Sequence, residues 1–309
     1  MRLRRRETPM RSPTNWALAV VFALALCGGG CATDTGAAES VSYLYADPRP
    51  VAMDGYDGDV MEPFLTRDGR YLIFNNSNHP SVDTNLHYAE RVDDARFRYK
   101  GEVRGANTAK LDAVATMDRD GVFYFVSLRE HEKTRDSIFR GAFRDGTLSG
   151  VEAVPGISRK KALSINFDVD ISPDGARMYV VDGRFDLLWV LGPKAADIVA
   201  MDRRGDGFVP APDSAAVLRA VNSDVLEYAP SVSADGRTLL FTRLRRGLGA
   251  EPAIYVSQRD DPARPFGPAR RLAALEGFVE ATTFSVDERT IYYHKKVGDR
   301  FALFMATKR

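Results

Sequence analysis

Five acidic side chains recur at corresponding places along the chain, and they are the residues most able to do chemistry together. They are Glu62, Asp112, Asp168, Glu227 and Glu280. Each opens a short strand-like run and lies six to eight residues before an aspartate at a turn. Clustered carboxylates raise one another's pKa and attract a cation or a basic peptide. We expect them to bind a ligand if the fold gathers them at one mouth of a channel; the alternative is that they cap strand ends in solvent.

The elements that must position these acids are five copies of one hairpin unit, which recur every 52 to 61 residues. The turn aspartates are Asp68, Asp120, Asp174, Asp235 and Asp287. An Asp-Gly pair between two apolar runs favours a β-hairpin with a primed turn, because Gly and Asp tolerate positive φ. The last copy has Glu288 where the others have Gly, so we expect a looser turn there.

The sequence after each hairpin predicts further strands, which makes about four strands per copy, the unit of a propeller blade. We therefore predict an all-β fold, a β-propeller with five four-stranded blades. The final copy has room for only one more strand, Phe301–Thr307. We expect the N-terminal segment 42–53 to pair beside it and close the ring, which would remove open sheet edges. A six-bladed ring is the alternative.

Metal-binding motifs are sparse in this sequence. It contains no HExxH or CxxC motif, and its four histidines are not spaced like a zinc pair. Two acidic runs place oxygen ligands close together in the way that suits Ca²⁺: Asp54, Asp57 and Asp59, and Asp202 with Asp206. Ordinary turn chemistry explains such runs equally well. We expect no cofactor, with calcium at these runs as the alternative.

The first thirty residues are predicted to be a signal peptide. Five arginines accompany an uninterrupted apolar run, Trp16–Leu26, which is too short to span a bilayer and typical of a leader. The following Gly30-Cys31 pair resembles a bacterial lipobox, so we predict lipidation at Cys31, with ordinary secretion as the alternative. Residues 31–41 are small and polar and form a tether. Residues 42–309 then form a single propeller domain without cysteine.

The charge balance of the mature chain argues against nucleic acid as a partner. The leader removes five arginines and one acid from totals of 43 and 42, which leaves 38 basic and 41 acidic residues and a net charge of −3. Nucleic-acid-binding domains usually show a clear basic excess. We expect an exported protein, held on the periplasmic face of the outer membrane by a lipid anchor or soluble in the periplasm or outside the cell.

Two of the repeats carry a family resemblance. The segments APSVSADGRTLLFTR and DVDISPDGARMYVVD resemble the WD40-like (PD40) repeats of TolB-type propellers, and Ala253–Arg259 resembles the strand that follows them in that family. The resemblance covers most of residues 60–309. It implies a six-bladed relative and a scaffold that binds peptides or other envelope proteins. We therefore expect a non-catalytic binding module with a protein or peptide ligand.

A second resemblance implies a different class of function. Five-bladed glycosidases of the arabinanase type use three acids from inner strands as base, modulator and acid, and Glu62, Asp168 and Glu227 are similar to that order. The family expects an aspartate where this chain has Glu62. A glycoside hydrolase that uses inner-strand carboxylates is therefore the alternative function.

Overall fold

The computed structural model describes residues 39–78, 83–186, 192–247 and 249–309. The predicted signal peptide, the lipidation site at Cys31 and most of the tether lie outside these residues. Within the described ranges, no helix is long and apolar enough to cross a membrane.

The described chain is almost entirely β-structure, and each sequence repeat forms one antiparallel group of strands. The N-terminal segment holds β1 (Val41–Ser42), β2 (Tyr45–Pro50) and β3 (Ala52–Asp54). Group one holds β4 (Met61–Leu65), β5 (Tyr71–Asn75), β6 (Leu86–Asp93) and β7 (Arg96–Glu102). Group two holds β8 (Asp112–Met117), β9 (Val122–Ser127), α1 (His131–Thr134), β10 (Ile138–Arg144) and β11 (Thr147–Ala153). Group three holds β12 (Ser164–Ile171), β13 (Arg177–Arg184), β14 (Ala195–Arg204) and β15 (Gly207–Pro210). Group four holds α2 (Ser214–Val217), β16 (Leu226–Val232), β17 (Thr238–Leu244), β18 (Ala253–Gln258) and β19 (Arg270–Leu272). Group five holds β20 (Val279–Phe284), β21 (Thr290–Val297) and β22 (Arg300–Lys308).

The N-terminal segment pairs with three different groups. Strand β1 lies parallel to β19 of group four, and β2 lies antiparallel to β22 as the fourth strand of group five. Strand β3 then lies parallel to β7 of group one. The sequence predicted the pairing with the last strand; the two short parallel pairs on either side of it were not predicted.

The apolar core is divided among the junctions between groups. One cluster, with Phe64 and Phe123, joins groups one and two, and further clusters join two to three, three to four and four to five. The fifth cluster packs Phe74 and Phe97 of group one against Tyr292 and Met305 of group five. Side chains of both faces of each group are therefore buried against neighbours, which gives a propeller-like fold.

None of the five hairpin turns is a primed two-residue turn, so that prediction was wrong: four of the turns have four residues, and the turn of group two, between Asp118 and Val122, has three. In the first, the Thr66 N–H donates to the Tyr71 carbonyl at 2.8 Å and the Gly69 N–H donates to the Thr66 carbonyl at 2.7 Å. Positive φ occurs at Gly69 and not at Asp68, whose carboxylate accepts the Thr66 hydroxyl. The expectation of a looser last turn was also wrong, because Glu288 adopts a φ of 55° in the same hydrogen-bonded turn.

A β-bulge interrupts every inner strand six residues before its turn aspartate. The bulge residues are Glu62, Val114, Asp168, Ala229 and Ala281. Four of the five have positive φ; Asp168 does not. A bulge leaves a backbone group without its ladder partner and redirects the adjacent side chains, so these residues shape the channel that the inner strands surround.

Side chains of the preceding group accept the bulge N–H groups of Glu62, Val114, Ala229 and Ala281. Asn75 accepts the Val114 N–H, Thr242 accepts the Ala281 N–H, and His294 accepts the Glu62 N–H, at 3.1 to 3.2 Å. These acceptors all lie seven residues after a turn aspartate. Group three has Val181 at that position, which cannot accept, and there the Asp168 carboxylate takes the Ala229 N–H at 2.9 Å. The groups are thus connected by buried polar bonds as well as by apolar packing.

Candidate functional site

Three of the five opening acids meet at one cavity at the end of the channel where the inner strands begin. Glu62, Asp168 and Glu280 come from groups one, three and five and line this cavity together with Tyr228 and Asn78. All three acids are buried, with 4 to 8% of their surface exposed. The expectation that acids gather near a channel mouth therefore describes these three residues.

Glu280 is held by two buried neighbours. Its Oε1 accepts the Tyr228 hydroxyl, and its Oε2 lies 3.1 Å from His294 Nε2. Because His294 Nδ1 accepts the Glu62 N–H, the proton of the neutral ring lies on Nε2 and is donated to Glu280. Burial lowers the pKa of His294, but the bond to Glu280 and the nearby Glu62 carboxyl raise it by more than burial lowers it. A proton on Nδ1 would nevertheless break the bond from Glu62, so the observed arrangement is that of the neutral imidazole.

Glu62 and Asp168 each have an oxygen that their neighbours do not use. Asn78 donates to Glu62 Oε1 at 3.0 Å, and the Ala229 N–H donates to Asp168 Oδ2. Among the described residues, no donor is bonded to Asp168 Oδ1 or to Glu62 Oε2. Burial and the neighbouring carboxyls raise the pKa of Glu62 above its ordinary value and that of Asp168 well above it. The cavity therefore holds carboxyl groups that favour a shared proton or a bound cation.

The remainder of the cavity wall is apolar. Its apolar lining residues include Leu111, Val126, Leu128, Ile165 and Phe167. The volume open to the centre of a water molecule is about 40 Å³. A single water needs roughly 10–15 Å³ by the same measure, so the cavity has room for about three waters. The cavity is consequently narrow, with a largely apolar wall and with carboxylate oxygens as hydrogen-bond acceptors at one end.

Asp112 and Glu227 do not line this cavity. Both are fully buried, and each is bonded to an arginine of its own group: Asp112 to Arg129 at 2.9 Å and Glu227 to Arg243 at 2.8 Å. They lie eight residues before the turn aspartate, whereas the three cavity acids lie six or seven residues before it. Asp112 also accepts the N–H of Thr108 in the loop before its strand, and this loop contact accounts for its position.

His294 is the residue of this site that sequence reasoning missed. Glu62, Glu280 and His294 offer ligand atoms within 4.8 Å of one another, the arrangement of a candidate metal site. Both nitrogens of His294 are already hydrogen-bonded, however, so the ring has no lone pair directed at an ion in this arrangement. A signal existed in the sequence: Glu280 and His294 lie seven residues before and after Asp287, which places them opposite each other in a hairpin.

The acidic runs considered for calcium face arginines. Asp54 lies 3.2 Å from Arg96, and Asp59 lies 2.6 Å from Arg300. Asp202 lies 2.9 Å from an arginine of the neighbouring strand. These carboxylates are therefore arranged as ion pairs rather than as converging ligands of one cation.

The opposite end of the channel contains an arginine from the first turn. Arg67 donates to the carbonyls of Met117 and Ile171 at 2.9 and 2.7 Å and lies 3.5 Å from Asp170. The Asp170 carboxylate in turn accepts the Val232 N–H at 2.7 Å. One side chain of group one thus connects groups two, three and four where the inner strands end.

Comparison with known proteins identifies the fold and not a family. No family model matches the chain, and no curated protein matches it. Among solved structures, a glycoside hydrolase superposes with a TM-score of 0.55 at 11% identity over 88% of this chain and 92% of its own. An α-L-arabinofuranosidase from Podospora anserina in complex with cellotriose superposes with a TM-score of 0.50 at 12% identity over 87% and 97%.

A TolB structure from Acinetobacter baumannii also matches, with a TM-score of 0.45 and 13% identity over 82% of this chain. The chain spans 55% of the length of that TolB structure. At these identities, the two matches with a TM-score of 0.50 or more show a shared all-β, propeller-like fold and no shared function.

Proposed function

We propose that this chain is a non-catalytic binding propeller of the bacterial cell envelope, with five four-stranded blades closed by its N-terminal strand. The pairing of β2 with β22 and the apolar cluster between groups five and one support a closed ring. Its protein or peptide ligand binds where Glu62, Asp168 and Glu280 meet. The convergence of these three acids on one narrow cavity is the observation that carries the proposal.

The geometry of the acids favours binding over glycoside hydrolysis. Retaining glycosidases hold their two carboxyl groups about 5–5.5 Å apart and inverting enzymes about 6.5–9.5 Å apart. Glu280 is unsuited to be one of such a pair, because its two oxygens are already bonded to Tyr228 and His294. A cavity with room for about three waters also has no space for a sugar ring and an attacking water.

Glycoside hydrolysis is the second candidate because a specific observation favours it. The raised pKa of Glu62 suits a general acid, and the matched glycoside hydrolase has the same fold. In that case Glu62 and Asp168 would be the working pair, and Glu227 would not take part because it lies away from the cavity.

One experiment separates the two candidates. The purified protein is tested for hydrolysis of arabinan, xylan and aryl-furanosides, and is used to capture partners from envelope extract. We expect no hydrolysis, and a partner whose capture is lost in Asp168→Asn but retained in the turn variant Asp174→Asn. Hydrolysis that disappears in Glu62→Gln would overturn the binding function.

The envelope location is tested separately. We propose that the leader is removed and that Cys31 carries the lipid. Mass spectrometry of membrane-extracted protein should find a modified N-terminal Cys31. An unmodified mature chain free in the periplasm would contradict the anchor.

A further inference from the structure

The chemistry of the cavity end restricts what can bind there. Asp168 is 4% exposed, yet none of the described residues donates to its Oδ1. Glu62 likewise presents one unused oxygen beside it, because Asn78 bonds only Oε1. Both oxygens belong to largely buried side chains and have no protein donor, so a cationic donor in the cavity would stabilise their charge. The site therefore calls for a hydrogen-bond donor that carries positive charge.

The apolar wall of the cavity favours a ligand with a hydrocarbon chain. Leu111, Val126, Leu128, Ile165 and Phe167 present hydrocarbon along the approach to the acids. Such a wall suits a chain of methylene groups, each of which contributes about 0.8 kcal/mol when buried.

The size of the cavity and its two unused oxygens limit which cationic group can bind there. An ammonium group is about as large as a water molecule and offers three donors on a flexible stem. The volume of about 40 Å³ admits the ammonium with the first carbons of its stem, whereas a planar guanidinium has five donors, more than the two unused oxygens can accept.

We infer that this cavity binds the primary ammonium end of a linear alkylamine, and that in the peptide-binding function proposed above it takes a lysine side chain. The ammonium lies between Asp168 Oδ1 and Glu62 Oε2, and the alkyl stem lies along the apolar wall. Binding is coupled to proton release, since the ammonium favours the ionised form of two carboxyls whose pKa burial raises.

The test uses isothermal titration calorimetry with the purified full chain and three probes: n-pentylamine, the near-isosteric n-pentanol, and the peptide Ac-Gly-Lys-Gly-NH₂. We expect both amines to bind, pentanol to bind at least tenfold more weakly, and the heat to vary with the ionisation enthalpy of the buffer because protons are released. Acetylation of the lysine side chain should abolish binding of the peptide.

Variants locate the binding. Asp168→Asn keeps an acceptor for the Ala229 N–H but presents an amide to the cavity, and Glu62→Gln keeps the oxygen that Asn78 uses. Each should weaken n-pentylamine at least tenfold, whereas Asp174→Asn should leave it unchanged. Thermal unfolding of each variant checks that it is folded.

Two results would overturn the inference, and they differ in what they leave standing. If pentanol binds as tightly as pentylamine and Asp168→Asn weakens both, the cavity binds a ligand but not an ammonium, and the proposed function survives. If no probe binds and the protein hydrolyses a furanoside through Glu62, both the inference and the proposed function fail.

Discussion

Two adjacent threonines in β20 should respond in opposite ways to the same substitution. The Thr283 hydroxyl accepts the Leu65 N–H at 3.1 Å, a buried bond between groups five and one. The hydroxyl of Thr282 is also buried, but it has no hydrogen-bond partner among the described residues. Valine has nearly the shape of threonine without the hydroxyl, so each substitution isolates one oxygen.

The expected magnitudes follow from those partners. Thr283→Val leaves the buried Leu65 N–H without an acceptor, which costs about 1–3 kcal/mol of stability. Thr282→Val removes a buried hydroxyl that makes no bond, so it should be neutral or stabilising, by up to about 1 kcal/mol. The two variants should therefore differ by at least about 1 kcal/mol, with Thr283→Val the less stable.

The assay is equilibrium unfolding in urea followed by circular dichroism. The slope of the free energy against urea should be the same for both variants and the wild type, so that the midpoints report stability alone. A loss of stability in Thr282→Val as large as that in Thr283→Val would refute the reasoning, because it would mean that the oxygen without a partner stabilises the fold as much as the bonded one.

Three further predictions concern charges inside the fold. Arg67→Met should lower the free energy of unfolding by about 2–4 kcal/mol in urea, because it removes bonds to two carbonyls and leaves the buried Asp170 without its cation. Arg243→Met should cost about 3–5 kcal/mol because Glu227 is fully buried, and adding Glu227→Gln should recover part of that loss. Asp168→Asn should raise the free energy of unfolding at neutral pH. Because the pKa of Asp168 is raised in the folded protein, this carboxyl stabilises the fold below its unfolded pKa of about 4, and that stabilisation is lost as the pH rises. The stability gained by the substitution should therefore shrink as the pH is lowered toward 4.

Local chemistry made the hairpins predictable, although not their detailed form. The Asp-Gly pairs marked where each strand pair reverses, because only glycine adopts positive φ without strain. In the four turns with four residues, a hydroxyl two residues before the aspartate closes the turn; group two has Asp118 at that position and a turn of three residues. Thr66 closes the first turn and Ser285 closes the last, where Glu288 takes the place of glycine.

The placement of the acids was only partly predictable because strand faces alternate residue by residue. A shift of one residue moves a side chain to the other face, and a bulge changes the count again. Asp112 and Glu227 lie one or two positions earlier than Glu62, Asp168 and Glu280, and they turn to arginines rather than to the cavity. The position of a bulge is set by contacts between groups, which a single hairpin sequence does not contain.

The N-terminal segment has a consequence for how the chain is made. Tyr45 pairs opposite Lys308, so β2, although it is made early, has no partner until β22 is available. Until then β2 and the edges of the outer strands are open to other chains, and closing so long a loop is entropically costly and slow. A chain truncated before β22 would have most of its hairpins formed and an exposed sheet edge. Quality control could therefore distinguish a finished molecule from a truncated one by whether this single pair of strands has formed.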